Sequence, residues 1–189
     1  STGRLPQRIL LGADGYSYAI SSIGGENDYG TIFRLSSRGE VVTLAEFSGS
    51  AGPVPGSGSK ATLIQCRDGL FYGTTSFGLQ DRFFMMSPGG TFTTLYEFPE
   101  GVSVGGGLVQ ASDGDFYGTT LDGGETGNST IFRISPTGTF SEVANFPGNV
   151  APETTLIEGE DGHLYGASES GGAHDAGTIF KVTREGTIT

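Results

Sequence analysis

The side chains in this sequence that could do chemistry recur at a nearly regular spacing. Four of the five aspartates that precede a glycine recur at intervals of 54, 45 and 48 residues: Asp14, Asp68, Asp113 and Asp161. A repeated carboxylate could form part of a metal array. Asp-Gly is also the strongest short-range signal for a hairpin turn, because both residues tolerate positive φ. We therefore interpret the four aspartates as structural turn residues.

Further oxygen ligands occur in the loops between the second and third segments of each repeat: Glu26 to Tyr29, Asp122 to Glu125 with Asn128, and His174 with Asp175. They could hold Ca²⁺, but the ordered spacing of a calcium-binding loop is missing. The two histidines, His163 and His174, have no partner at metal-ligand spacing. We predict solvated loops, surface histidines, and no requirement for a metal or another cofactor.

Glu158 is the carboxylate that could take part in catalysis. It occupies a position in the first segment of its repeat where the other repeats carry Gln65, Gln110 and Leu11. In a propeller this position could line the axial channel. General acid–base catalysis usually needs a positioned pair of carboxylates or a histidine, and a single glutamate supports it poorly. A hydrolase or lyase is therefore the least favoured function, and we predict no catalytic residues.

The second repeat departs from the others near Phe77 and Arg82. These residues, with the pair Met85-Met86, replace residues that are smaller or differently charged elsewhere. An aromatic side chain beside an arginine suits a sugar or peptide ligand. The alternative is divergent packing between two repeats. Phe77, Arg82 and Glu158 are thus the candidate ligand-binding residues.

Two other residues bear on modification and reactivity. Asn128-Ser129-Thr130 fits a glycosylation sequon in an exposed loop. Cys66 is the single cysteine and lies in the apolar run that begins at Leu63, where other repeats carry small residues. We predict that Cys66 is a small buried core residue rather than a reactive thiol.

Short β-strands must position these residues. Each repeat divides into four segments separated by turn residues, and apolar residues alternate with a period of two rather than 3.6. We predict an all-β fold, a β-propeller built from four antiparallel four-stranded repeats of about 45–54 residues. The repeats form a single array over residues 1–189. Its units are approximately 5–48, 60–99, 105–147 and 153–189, the last one incomplete.

The third segments are apolar on both faces, which requires a packed sheet on either side. We expect one phenylalanine of each to be buried at an equivalent position: Phe33, Phe84, Phe132 and Phe180. The second segments repeat a tyrosine, and we expect its ring to pack rather than to be exposed: Tyr72, Tyr117 and Tyr165.

The composition excludes some classes of partner. The net charge is −11 and the ten basic residues are scattered singly, whereas phosphate binding needs clustered Lys and Arg. We therefore expect no nucleic-acid partner. No run of about 18 apolar residues is present, so we expect no membrane span.

The last repeat ends at Thr187-Ile188-Thr189, three residues into its fourth segment. An unfinished strand leaves backbone groups on the neighbouring strand available for pairing. We expect this edge to be covered by further repeats or by a second copy of the chain.

The repeated phrase resembles the bacterial GloVer tandem repeats over nearly all of residues 9–189. It runs from Asp113 to Thr120 in the third repeat and from Asp161 to Gly166 in the fourth, followed by Gly123-Gly124 and Gly171-Gly172. The resemblance implies large exported proteins with variable surface-anchoring tails, and it brings no catalytic residues. We predict a non-enzymatic extracellular scaffold for structure, adhesion or protein interaction, with cell-surface glycans or proteins as partners. The alternative is a carbohydrate-binding, lectin-like propeller.

Overall fold

The structure is a computed structural model that describes residues 4–58, 62–122, 127–147, 150, 152, 154–172, 174 and 176–189. Over these residues it contains fifteen β-strands in four antiparallel sheets, and no described residue lies in a helix. The described part therefore holds no helix that could cross a membrane. The prediction of an all-β chain with one small antiparallel sheet per repeat is confirmed.

The chain divides into two compact units, one ending at Phe98 and the other beginning at Pro99. The N-terminal unit holds two sheets, in which strands consecutive along the chain are hydrogen-bonded neighbours. The first sheet comprises β1 (Arg4–Leu11), β2 (Ser17–Ile23), β3 (Thr31–Leu35) and β4 (Val41–Glu46). The second sheet comprises β5 (Ile64–Gln65), β6 (Phe71–Phe77), β7 (Gln80–Met86) and β8 (Phe92–Glu97). Lys60, the predicted start of the second repeat, lies outside the described residues.

The C-terminal unit holds the other two sheets. The third sheet comprises β9 (Val109–Gln110), β10 (Phe116–Thr120), β11 (Thr130–Ile134) and β12 (Phe140–Asn145). The fourth comprises β13 (Ile157–Glu158), β14 (Leu164–Ser168) and β15 (Thr178–Val182). A bridge between Val182 and Ile188 begins a fourth strand, and Lys181 and Thr189 exchange two backbone hydrogen bonds of 2.8 Å. Glu153, the predicted start of this repeat, lies outside the described residues.

The Asp-Gly pairs make the turn between the first two strands of every sheet. Their glycines are Gly15, Gly69, Gly114 and Gly162, with φ between 76° and 91°. A side chain would strain the backbone in this left-handed region, and glycine adopts it without cost from a Cβ atom. The turn thus fixes the register of each hairpin.

A glycine on the second strand makes room for the phenylalanine of the third strand. Gly118 is paired with Phe132, and a Cβ atom on Gly118 would lie 2.6 Å from Cζ of that ring. The second and fourth sheets repeat the arrangement with Gly73–Phe84 and Gly166–Phe180. The three phenylalanines are buried, with 0%, 0% and 4% exposure for Phe84, Phe132 and Phe180.

Phe33 departs from the predicted burial, because it is only half-buried. Its cross-strand partner is Ala19, where the other sheets have glycine. Ala19 is also paired with Ile9, which is 69% exposed, so Phe33 lies on a face of the first sheet that is open to solvent. The equivalent Phe84 and Phe180 are buried because each packs in a cluster with the preceding repeat.

Each unit has a core formed between its two sheets. In the N-terminal unit, the buried side chains of the first and second repeats form one cluster: Tyr18, Ile20, Ile32, Ala45 and Phe47 with Phe71, Phe84 and Met86. In the C-terminal unit, the third and fourth repeats form an equivalent cluster: Ala111, Tyr117, Ile131, Ala144 and Phe146 with Leu156, Leu164, Phe180 and Val182. A small sheet thus buries one face by packing on the next repeat.

Replacing Phe132 with alanine removes a fully buried ring, so we expect the free energy of unfolding to fall by about 3–5 kcal/mol. Phe33→Ala is the matched control and should lose less than half as much, because Phe33 is half-buried. Chemical denaturation followed by circular dichroism measures both values. A loss below about 1 kcal/mol for Phe132→Ala would show that the strand register is wrong.

Candidate functional site

Each repeat aspartate is held in its turn by two hydrogen bonds. One carboxylate oxygen accepts the backbone N–H two residues later, at 2.9–3.2 Å. The other accepts the hydroxyl of a tyrosine four residues later, at 2.6, 3.1, 2.8 and 2.8 Å for Tyr18–Asp14, Tyr72–Asp68, Tyr117–Asp113 and Tyr165–Asp161. Since both oxygens bind groups of their own repeat, these aspartates serve the turn.

Tyr18 is the member of this set that the sequence analysis missed. In the first repeat, Ser17-Tyr18-Ala19 replaces the usual aromatic-Tyr-Gly, and the neighbouring Tyr16 obscures the alignment. The four-residue distance from Asp14 to Tyr18 is the signal that identifies it.

The tyrosine hydroxyls remain protonated near neutral pH. Burial, followed by the hydrogen bond to Asp14, raises the pKa of Tyr18 to about 12. Burial and the bond to Asp68 raise the pKa of Tyr72 to about 12 in the same way. The bond donated by Tyr18 in turn lowers the pKa of the Asp14 carboxyl. Tyr18 and Asp14 therefore keep each other in the charge state that their hydrogen bond requires.

Glu158 takes part in a brace between two sheets of the C-terminal unit. Its carboxylate accepts the backbone N–H of Ser112 at 2.7 Å and the Ser112 hydroxyl at 2.6 Å. The N-terminal unit has the same brace, in which the N–H of Ala13 donates to Oε1 of Gln65 at 2.8 Å. Ser112 and Ala13 both directly precede a repeat aspartate. The structure thus gives Glu158 a structural role that its sequence position did not reveal.

Arg184 adds a charge to the Glu158 brace. Its Nη2 donates to Oε1 of Glu158, its Nε donates to the Gly162 carbonyl at 3.1 Å, and its guanidinium lies 4.4 Å from the centre of the Tyr117 ring. The hydrogen bonds from Ser112 and the positive charge of Arg184 lower the pKa of Glu158. A carboxyl held ionised in this way is poorly suited to act as a general acid.

Phe77 lines a pocket of about 430 Å³ in the N-terminal unit. Its ring meets the Tyr29 ring edge to face, with centroids 4.8 Å apart. Asp28 has φ of 59°, and its Oδ1 accepts the Gly24 N–H at 2.8 Å. The lining residues are Ser22, Asp28, Tyr29, Ser57, Ser76, Phe77 and Gly78. Two aromatic rings among hydroxyl and carboxylate groups are a lining that suits a polar organic ligand.

Arg82 does not line that pocket, contrary to the expectation of an arginine beside Phe77. It is paired with Thr75 at a position where the other repeats have threonine, and it is 6% exposed. Its Nε donates to Oε1 of Glu97 at 2.9 Å. The neighbouring strand supplies the counter-ion, so Arg82 is a buried cross-strand partner rather than a ligand contact.

The remaining candidates are dispersed. Among the described residues, no group of three or more His, Cys, Asp or Glu is arranged to hold a metal ion. His163 is half-buried, His174 is exposed, and Asn128 is partly exposed. Asp175 and the segment 123–125 lie outside the described residues. The described residues thus give the calcium hypothesis no support. Glycosylation of Asn128 stays a prediction.

Cys66 is buried, with 8% exposure, as the sequence predicted. Its backbone N–H donates to the Leu70 carbonyl at 2.9 Å and so closes the turn around Asp68. Burial, with a smaller contribution from the Asp68 charge, raises the pKa of the Cys66 thiol to about 12. The thiolate, which is the reactive form, is therefore scarce at neutral pH.

The four small antiparallel sheets define an all-β repeat protein whose structural relatives are propeller-like enzymes. The chain belongs to the Gloeobacter/Verrucomicrobia repeat family, since residues 82–189 match that family. The resemblance to the GloVer repeats is thereby confirmed. A comparison with curated proteins gives no match.

Three solved structures illustrate the likeness. A candidate gluconolactonase aligns with a TM-score of 0.58 and 14% identity over 97% of this chain and 61% of its own. A candidate exo-β-1,3-galactanase from Bifidobacterium bifidum S17 aligns with a TM-score of 0.54 and 14% identity, over 96% of this chain and 68% of its own. Puromycin hydrolase aligns with a TM-score of 0.64 and 15% identity, over 100% of this chain and 31% of its own. The chain thus spans 61% of the length of the first of these proteins, and the low identities show a common fold alone.

Cys66 should resist thiol reagents in the folded protein, because its sulfur is buried and its pKa is raised to about 12. We expect labelling by a chromogenic disulfide to require unfolding, so that the rate rises steeply through the denaturation transition. A free cysteine introduced at the exposed Leu79 is the positive control. Rapid labelling of Cys66 in buffer would contradict its burial.

Proposed function

We propose that this chain is a non-enzymatic, extracellular β-propeller module that acts as a structural, adhesive or protein-interaction scaffold. The observation that carries the proposal is that the recurring polar side chains form hydrogen bonds with other groups of the chain itself. All four repeat aspartates bind a tyrosine of their own repeat, and Gln65 and Glu158 bind a backbone N–H of the preceding repeat. These groups stabilise the sheets and their packing.

The environment of Glu158 supports the non-enzymatic part of the proposal. A catalytic carboxyl in a glycosidase must exchange a proton or attack a sugar, and it needs a second carboxyl at a set distance. Glu158 instead accepts three hydrogen bonds, two from Ser112 and one from Arg184. Release of these partners would weaken the brace between the third and fourth sheets.

The extracellular part of the proposal rests on family membership and on the design of the repeats. The resemblance to exported GloVer repeats implies a position outside the cell. Short strands joined by loops supply a rigid frame, and variable loops on such a frame commonly carry recognition. The second repeat departs from the others near Phe77, and this residue lines the Tyr29–Phe77 pocket between the first and second repeats.

A panel of aryl glycosides and sugar lactones tests the absence of catalysis. We expect no product above the blank, and any trace of product should be unchanged in Glu158→Gln. Glutamine stands naturally at the equivalent Gln65 and keeps the brace, so the variant should fold normally. Turnover by the wild-type chain that Glu158→Gln abolishes would overturn the proposal. Surface proteolysis of whole cells of the source bacterium tests the extracellular location.

A second candidate function, carbohydrate binding, is favoured by the Tyr29–Phe77 pocket. Aromatic rings stack on the apolar faces of sugars, and nearby hydroxyl and carboxylate groups can bind their hydroxyls. The rings of Tyr29 and Phe77 are half-buried, with Asp28, Ser57 and Ser76 beside them. A carbohydrate ligand is compatible with the fold, which a candidate exo-β-1,3-galactanase shares.

A glycan array tests this second function, and Phe77→Ala is the informative variant. If the pocket binds sugars, we expect Phe77→Ala to weaken binding by about tenfold or more, since aromatic anchors dominate such contacts. Leu79→Ala is the matched control, because Leu79 is 65% exposed in the same hairpin and does not line the pocket. Equal binding by both variants would place the sugar elsewhere, and the absence of any bound glycan would refute this function.

A further inference from the structure

Four of the seven large apolar side chains that are exposed among the described residues lie on two sheet faces. Ile9 and Leu11 of the first sheet are 69% and 72% exposed, and Ile157 and Ile179 of the fourth are 64% and 85% exposed. Alternate residues of a strand point to the same face. We call the face of the first sheet that carries Ile9 and Leu11 its leading face. The face of the fourth sheet that carries Ile157 and Ile179 is its trailing face.

The trailing face is covered in the sheets that have a following neighbour within their unit. Ile32 and Ile131 occupy the position of Ile179 in the first and third repeats, and both are 0% exposed. Ile32 lies in the cluster with Phe71 and Met86 of the second sheet. Ile131 lies in the equivalent cluster of the C-terminal unit. The covering element is in both cases the leading face of another sheet.

The leading face is likewise covered elsewhere. Leu108 and Leu156 occupy the position of Ile9 in the third and fourth repeats and are 2% and 1% exposed. Leu156 packs in the cluster with Ile131 and Phe146 of the preceding repeat. A leading face therefore binds a trailing face at an interface that the chain already contains twice.

We propose that the trailing face of the fourth sheet binds the leading face of the first sheet of a second copy of this chain. Both surfaces are apolar and exposed, and they are the two halves of the contact that joins the sheets inside each unit. The proposal does not depend on whether the Tyr29–Phe77 pocket binds a sugar. Such a head-to-tail contact joins unlike surfaces and can close into a ring or continue as a chain.

The edge of the fourth sheet offers an additional place for the second copy. In the third sheet, all five residues of β11 are paired with β12. In the fourth sheet, the described pairs between β15 and the residues that follow it are Val182 with Ile188 and Lys181 with Thr189. An apolar groove of about 570 Å³ lies beside this edge, lined in part by Phe146, Ile179 and Ile188. The groove shares Ile179 with the trailing face, so the second copy contacts both together.

Electrostatics opposes this association in a way that can be measured. Each copy carries a net charge of −11, so two copies repel each other at low ionic strength. Salt screens this repulsion over distances beyond about 10 Å at 0.1 M. The apolar contact itself is little weakened by salt. Association should therefore become tighter as sodium chloride is raised.

Sedimentation equilibrium of the 189-residue chain tests the proposal over a wide range of concentration and at two salt concentrations. We expect a reversible rise of the average mass that is stronger at high salt. Ile179→Asp and, at the other face, Ile9→Asp should each shift the association to at least about tenfold higher concentration, since each places a charge in the apolar contact. Leu79→Asp is the matched control, because Leu79 is exposed but lies on neither face. Circular dichroism verifies that each variant folds. If Ile179→Asp does not fold, Ile157→Asp takes its place.

Mixing the two variants decides between a head-to-tail contact and a contact of like faces. Each mixed pair of Ile179→Asp and Ile9→Asp chains retains one intact trailing face and one intact leading face. We expect the mixture to form dimers under conditions in which each variant alone is monomeric. A mixture that stays monomeric would overturn the head-to-tail contact. A wild-type chain that is monomeric at every concentration, or variants that associate as well as Leu79→Asp, would overturn the proposal as a whole.

Discussion

The hydrogen bond between the repeat tyrosine and the repeat aspartate is the interaction on which each sheet depends. Tyr18 and Tyr117 are almost fully buried between sheets, yet each carries a hydroxyl that cannot be left without a partner there. The aspartate of the adjoining turn supplies the acceptor, and its second oxygen binds the turn backbone. One carboxylate thereby couples the conformation of the hairpin to the packing of an aromatic ring between sheets.

Outside this hydrogen bond, equivalent positions of the repeats carry different side chains but still join the same two elements. Arg34 lies over the Tyr16 ring in the first sheet, at 4.8 Å from its centre. The equivalent pair in the third sheet, Arg133 and Asp115, forms an ion pair instead. Both contacts fasten the turn to the third strand. Such exchange is expected where a position must fill space and hold two strands together but has no reaction to perform.

The sequence permitted the strands to be predicted better than the contacts between them. The third segments that carry Phe33, Phe132 and Phe180 are strands β3, β11 and β15 in the structure, as predicted, because alternation and turn residues are local signals. The role of Glu158 could not be predicted, since its partner Ser112 lies 46 residues away in another sheet. The half-buried state of Phe33 depends on whether another sheet covers the face that it shares with Ile9, which no local pattern reveals. Burial of Arg82 required the counter-ion of Glu97 from a neighbouring strand.

The brace at Gln65 and Glu158 has a consequence for how freely the repeats can diverge. Its donor is a backbone N–H, supplied by Ala13 in one unit and by Ser112 in the other. Every amino acid except proline carries that group, so substitutions at the donor position leave the bond intact. At Gln65, selection on this bond therefore acts through the acceptor alone, whereas the Ser112 hydroxyl and Arg184 add side-chain donors at Glu158. The donor position can thus change its side chain while the backbone bond between neighbouring sheets is kept.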